Sequence, residues 1–161
     1  MFRQLALFSA VIVLAFGCSS KKKVDEQGPD KGVVETTPLN FDVAGSDSGK
    51  IPGLYTINFD FDKSTLSEDA KSKLRMNADW MRKNPDVKMT IEGHCDSRGS
   101  IEYNVALGER RAKVTRDYLV SLGIPRSRMK IVSFGEEKLL DQADTEAAHA
   151  ANRRANFVPA K

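Results

Sequence analysis

The chain has 161 residues, 29% of them charged, with 25 Lys and Arg against 22 Asp and Glu and a formal charge of +3. Charges of both signs are interspersed, so the one-signed surface that nucleic acid demands is not suggested. Only two Cys are present, which excludes an internal disulfide framework if one of them is modified.

Residues 1–17 read as a secretory signal. Met1-Phe2-Arg3 is a short basic start, Leu5 to Phe16 is almost wholly apolar, and Gly17 precedes Cys18. The apolar run is about a dozen residues, against about 20 for a membrane-spanning helix. Cys18 sits at the cleavage point after a small residue, as in the lipobox of bacterial lipoproteins, where the thiol is acylated and becomes the new N-terminus. The match departs from the usual pattern at Ala15, where Leu is commonest, and at bulky Phe16. Ser19 lacks the acidic character that retains many such proteins in the inner membrane, so the resemblance implies the outer membrane. Residues 18–50 then read as a tether. Lys21 to Lys23, Asp25, Glu26, Gly28, Pro29 and the Gly45-Ser46-Asp47-Ser48-Gly49 run offer little apolar surface to offset ordering entropy. Thirty flexible residues span about 30 Å. The remainder, residues 51–161, is long enough for one domain held by its own core.

Within that domain the periodicity predicts elements in a clear order. Leu54, Tyr55, Ile57, Phe59 and Phe61 largely alternate with polar residues, a first strand. Ser67-Glu68-Asp69 opens a helix whose apolar positions are Ala70, Leu74, Ala78 and Met81, and Asn84-Pro85 stops it. Val87, Met89 and Ile91 form a second strand, followed by a loop from Gly93 to Gly99. A second helix, from about Ile101 to Leu122, carries Tyr103, Leu107, Val114 and Tyr118 and ends at Gly123-Ile124-Pro125. Met129 to Phe134 is a third strand, Asp144 to Ala151 a short helix, and Asn156 to Val158 a last strand. The order β-α-β-α-β-(α)-β predicts an α+β sandwich: one mixed sheet with two main helices on one face.

Chemistry concentrates where the second strand feeds the second helix. Asn104 and Arg111 are two turns apart and share a face, with Leu107 between them. The loop holding Asp96 enters the N-terminus of that helix, where free N–H groups attract an anion. Arg111 offers a planar fork for a carboxylate, and Asp96 a charge for an ammonium. Together they suit a group bearing an amine and a carboxylate on one carbon. His94 and Cys95 are neighbours, but adjacent residues on a strand end point in opposite directions, which disfavours a Cys–His pair. The other His, His149, is in a different segment, so a metal site is not expected.

Several motifs carry a resemblance. Gly93-His94-Cys95-Asp96, then Tyr103-Asn104, then Leu107-Gly108-Glu109-Arg110-Arg111-Ala112 stand in order and spacing; Asn58 to Lys63 and Glu146 to Ala155 flank them. Over about residues 54–158 the chain resembles the OmpA-like peptidoglycan-binding domain family, and within it a lipid-anchored branch. The resemblance implies a non-enzymatic domain without cofactor, in which Asp96 and Arg111 hold the free end of diaminopimelate. It also implies that Phe59 and Asp60 line the pocket, that Leu107 is an apolar wall, and that Asn104 braces the loop or touches ligand. The partners it implies are peptidoglycan, the outer membrane through lipid on Cys18, and TolB with other Tol proteins of a Tol–Pal system. An envelope lipoprotein of the same fold working mainly by protein–protein interaction is the alternative. Arg110 reads as a surface charge, and Tyr103 as packing. Arg153 and Arg154 read as a basic rim or as structural ion pairs. Cys95 stands where the family commonly has another small residue and reads as a filler; if exposed, it would support oxidation or dimers. Asp96→Ala and Arg111→Ala are expected to weaken wall binding while leaving the fold intact.

Overall fold

The computed structural model describes residues 48–160. The signal segment, Cys18 and the tether up to Asp47 lie outside the described residues. After a 3-10 turn at Ser48–Lys50 the elements are β1 (Ile57–Asn58), α1 (Glu68–Lys83), β2 (Lys88–His94), α2 (Ile101–Ser121), β3 (Met129–Gly135), α3 (Glu146–Asn152) and β4 (Arg154–Ala160). The four strands form one sheet in the order β1-β4-β2-β3. β4 is antiparallel to both its neighbours, whereas β2 and β3 are parallel and joined through α2, so the sheet is mixed and the fold α+β. No helix among the described residues is long and apolar enough to cross a membrane.

Local signals account for the helices. Ser67 accepts from the backbone N–H of Ala70, Glu68 and Asp69 sit in the first turn of α1, and Arg82 and Lys83 in its last. Ser100 caps α2 by accepting from Tyr103 N, and Thr145 caps α3 by accepting from Ala148 N. Ala70, Leu74, Ala78 and Met81 turn one face of α1 inward, where they join Ile57, Met89, Ile91 and Phe157 of the sheet and Ala112 and Leu119 of α2 in one core. α2 lies across β2 and β3, and α1 meets α2 and β1.

Two glycines set how closely α2 approaches the sheet. A Cβ at Gly93 would stand 1.8 Å from the carbonyl oxygen of Gly108. A Cβ at Gly108 would stand 2.4 Å from Ser133 Oγ and 2.8 Å from Gly93 O. Neither position has room for a side chain, and the contact brings the end of β2 directly beneath α2.

Three boundaries differ from expectation, each for a physical reason. The first strand was expected from Leu54 to Phe61, but only Ile57 and Asn58 pair with β4, opposite Ala155 and Arg154. Ahead of them Tyr55 has no strand neighbour; the side-chain amide of Asn77 on α1 takes its place, accepting from Tyr55 N at 2.7 Å and donating to Tyr55 O at 2.8 Å. Beyond Phe59, whose N–H reaches Arg153 O at 2.9 Å, the chain turns through Asp62 at φ 54°. β2 runs on to His94, with a register shift at Gly93/His94, so two residues of the expected loop belong to the strand. β4 spans Arg154–Ala160, longer than Asn156 to Val158. Its polar start is buried and gave no alternating signal.

Candidate functional site

A cleft of about 210 Å³ opens where the end of β2 meets the start of α2, walled on the third side by the turn after β1. Its lining is Phe61, Asp62, Cys95, Asp96, Arg98, Gly99, Tyr103, Asn104, Leu107, Arg111 and Arg153. Four expected residues, Asp96, Asn104, Leu107 and Arg111, therefore come together from a loop and one helix face. Phe59 and Asp60 do not line it. The ring of Phe59 is buried with the Arg111 guanidinium 5.3 Å from its centroid, and the Asp60 carboxylate turns outward to Lys63 at 3.1 Å. The strand alternation stops with the short β1, so Phe59 is 5% exposed while Phe61, two residues on, is 55% exposed. Phe61 and Asp62 take the positions expected for their neighbours.

Arg111 is completely buried. Its Nε donates to Lys63 O at 2.9 Å, Nη1 to His94 O at 2.8 Å and Nη2 to Asp60 O at 3.2 Å; Nη1 also lies 3.3 Å from Cys95 Sγ. The guanidinium thus ties the turn after β1 to the end of β2. None of these bonds goes to a carboxylate. Burial pushes its pKa down, with the neighbouring Cys95 and Asp96 opposing. A buried cation held by carbonyl dipoles and a thiol, with no carboxylate bonded to it among the described residues, leaves a place for an anion.

Asp96 is also buried, but it is already paired. Its Oδ1 accepts from Arg98 N at 3.2 Å, and its Oδ2 from Arg98 Nη2 at 2.6 Å and Arg153 Nη1 at 3.1 Å. Burial favours the neutral acid, but these donors outweigh it and hold the carboxyl below its ordinary 3.8. The two guanidinium groups differ in freedom. Arg153 is also bonded to Phe59 O at 3.0 Å and Glu146 Oε1 at 2.8 Å. Arg98 is 38% exposed, rests on the Phe61 ring at 4.2 Å and reaches Glu146 Oε2 only at 3.5 Å. Arg153 is therefore an ion-pairing residue of the cleft wall. Arg154 is buried too, donating to Asn152 O and Lys138 O, both at 3.3 Å, and contributes no rim.

The remaining residues shape the loop. Asn104 Nδ2 donates to Arg98 O at 3.1 Å and Glu136 Oε2 at 2.5 Å, which braces the loop across α2. Gly99, at φ 115°, gives that loop its reversal. The Ser100 cap already uses one of the N–H groups at the start of α2. Tyr103 is 46% exposed rather than packed, with its hydroxyl bonded to Asp62 across the mouth. Cys95 is 1% exposed; its Sγ is 3.3 Å from Asn104 O, and burial pushes the thiol pKa up, with Arg111 opposing. That removes it from dimer or oxidation chemistry at the surface. The His94 ring stacks on Phe134 at 5.5 Å rather than facing the cleft. Sequence reasoning missed Arg98, Gly99, Phe61 and Asp62. Their signal was proximity in the chain to Asp96 and to the aromatic motif.

Comparison with known proteins fits this arrangement. The OmpA family model matches residues 58–153, which contain every cleft residue. A peptidoglycan-associated lipoprotein of Rhizobium meliloti is 40% identical over 165 residues, 97% of this chain and 88% of that protein. One of Brucella melitensis is 38% identical over 160 residues, 96% of this chain and 89% of that protein. Among solved structures, the peptidoglycan-associated lipoprotein from Burkholderia pseudomallei aligns with TM-score 0.63 at 36% identity, over 65% of this chain and 89% of that one. The C-terminal domain of Helicobacter pylori MotB aligns with the same TM-score at 16% identity, over 68% and 86%, and shows the fold alone. With the family match spanning β2, β3, all three helices and the whole cleft, the chain belongs to the OmpA family.

Proposed function

We propose that this protein is an outer-membrane lipoprotein that binds peptidoglycan non-covalently through the diaminopimelate of the stem peptide. Lipid on Cys18 anchors one end, residues 18–50 give reach, and residues 51–161 grip the wall. The observation that carries this reading is Arg111: a fully buried guanidinium bonded only to carbonyls and a thiol, on a cleft that also holds the ionised Asp96. Similarity to relatives named for association with peptidoglycan supports it.

The free end of diaminopimelate carries an ammonium and a carboxylate on one carbon. The carboxylate faces Arg111, whose charge has no acidic counterpart in direct contact. The ammonium faces Asp96, and Arg98, the more exposed of its two partners, yields to it. Leu107 covers the aliphatic chain between. Each charge-assisted contact is worth about 1.5–3 kcal/mol at most, so the bond is reversible and a population of such tethers holds the membrane while the wall grows. Amidation of that carboxylate removes the anion and weakens binding. The family resemblance extends the proposal to a Tol–Pal system with TolB as protein partner.

The test is co-sedimentation of the purified protein with isolated peptidoglycan, with and without excess free diaminopimelate. Pelleting that the amino acid competes away is expected. A folded protein that stays in solution, or pellets equally with competitor, contradicts the proposal.

A further inference from the structure

A second, wider depression of about 520 Å³ runs along α2 beside the cleft. Leu66, Val114 and Tyr118 form its floor, half-buried against the core. Ser64, Arg110 and Lys113 stand at its rim. Asp117, at its far edge, is bonded to Arg116 at 3.2 Å and to Arg126 at 2.9 Å, so its charge is already paired. Arg110 and Lys113 are exposed, one turn apart on α2, and neither takes part in an ion pair among the described residues. An apolar floor under two unpaired cations suits an aliphatic group that ends in a carboxylate.

Arg110 and Tyr103 bring the depression next to the cleft. The Arg110 guanidinium lies 5.8 Å from the centroid of the Tyr103 ring, and Tyr103 lines the cleft. The backbone positions of Tyr103 and Arg110 are two helical turns apart, about 10 Å along the axis, and the Arg110 side chain folds back over that interval. In wall peptides that contain diaminopimelate, the preceding residue is glutamate linked through its side-chain carboxyl, which leaves its α-carboxylate free. Measured from the free end of diaminopimelate, that carboxylate is about 10 Å away, three extended residue lengths.

We propose that this groove is a second subsite for the same stem peptide, in which Arg110 and Lys113 hold the α-carboxylate of the glutamate that precedes diaminopimelate. The inference rests on the diaminopimelate reading above and adds what the domain reads next to it. Arg111 turns inward to the end of the peptide and Arg110 turns outward to its next anion, so two adjacent arginines divide the recognition. The methylenes of the γ-linked glutamate lie over Leu66, Val114 and Tyr118.

Calorimetric titration of the purified protein with three probes tests this: free meso-diaminopimelate, the tripeptide L-alanyl-γ-D-glutamyl-meso-diaminopimelate, and the same tripeptide with the glutamate α-carboxylate amidated. The wild-type protein should bind the tripeptide about fivefold more tightly than either other probe. The double variant Arg110→Gln/Lys113→Gln should lose that preference and keep the affinity for free diaminopimelate. A control, Lys88→Gln/Lys130→Gln, removes the same charge from exposed positions on the strands and should keep the preference. A wild-type protein indifferent to amidation, or a groove variant that retains the preference, overturns the subsite and leaves the groove to another occupant such as an acidic protein segment. Failure of wild type and groove variant alike to bind free diaminopimelate overturns the diaminopimelate reading itself, and the subsite with it.

Discussion

Replacing Arg111 with Ala should unfold the domain at a much lower temperature, as well as abolish wall binding. The side chain donates to three backbone carbonyls, at 2.8, 2.9 and 3.2 Å, in two separate segments of chain. A buried acceptor left without a donor costs about 1–3 kcal/mol. Water entering from the cleft recovers part of this, and relief of the buried charge recovers more. The net loss is about 3 kcal/mol, most of it the untying of Asp60 to Lys63 from the end of β2. For a domain of this size that lowers the melting temperature by roughly 12 °C. Arg111→Lys, which restores one donor, should melt between the two and bind the wall weakly, because an ammonium cannot reproduce the fork. Thermal denaturation followed by circular dichroism, beside diaminopimelate titration, reads both effects. An Ala variant that melts within about 3 °C of wild type while losing the ligand would refute the reasoning, and would restore the expectation from sequence that the fold survives this change.

Two further outcomes follow from the same geometry. The His94 ring is 1% exposed, neither nitrogen has a hydrogen-bond partner among the described residues, and Glu92 Oε2 lies 3.5 Å from Nε2. Burial lowers its pKa from 6.5, with Glu92 opposing and Arg154 and Lys138 reinforcing. A lowered histidine pKa means the unfolded chain binds the proton more readily, so this contribution is complete above about pH 6.5 and is lost as pH falls through the folded value. Melting temperature should drop between pH 7 and 5, and His94→Phe, which keeps the stack on Phe134, should flatten that slope; an unchanged slope contradicts the assignment. Gly93→Ala should prevent α2 from docking, since its Cβ would meet Gly108 O at 1.8 Å. A soluble variant with native circular dichroism and a native melting curve would count against the contact.

Much of the architecture was legible because it rests on short-range signals. Ser67-Glu68-Asp69 and Asn84-Pro85 bound α1 as the caps predict, whereas of the expected stripe Tyr103, Leu107, Val114 and Tyr118 on α2 only Leu107 is fully buried, and the inner face runs through Leu107, Ala112 and Leu119. The first strand was overread because alternation from Leu54 to Phe61 does not say what pairs with it. Asn77, 22 residues away from Tyr55, supplies the bonds a strand would have given. The last strand was underread because it starts at Arg154, a buried polar residue with a partner, Lys138 O, elsewhere in the chain. In the site, the helical spacing of Asn104, Leu107 and Arg111 placed three residues on one wall. It did not show that Asp96 would be gripped by Arg153, 57 residues on, or that the turn at Asp62 would swing Phe61 in place of Phe59. Contacts between distant segments carry no periodicity, so they become visible only in three dimensions.

The central claim is that the Asp96–Arg111 cleft holds the zwitterionic end of diaminopimelate. The most direct measurement is a nuclear magnetic resonance titration of the isotope-labelled protein with meso-diaminopimelate, following backbone amides together with arginine side-chain signals. Saturable shifts are expected at His94 to Gly99 and at the Arg111 and Arg98 guanidinium groups, with α1 undisturbed. Shifts confined to other surfaces, or none at saturating ligand, would contradict it.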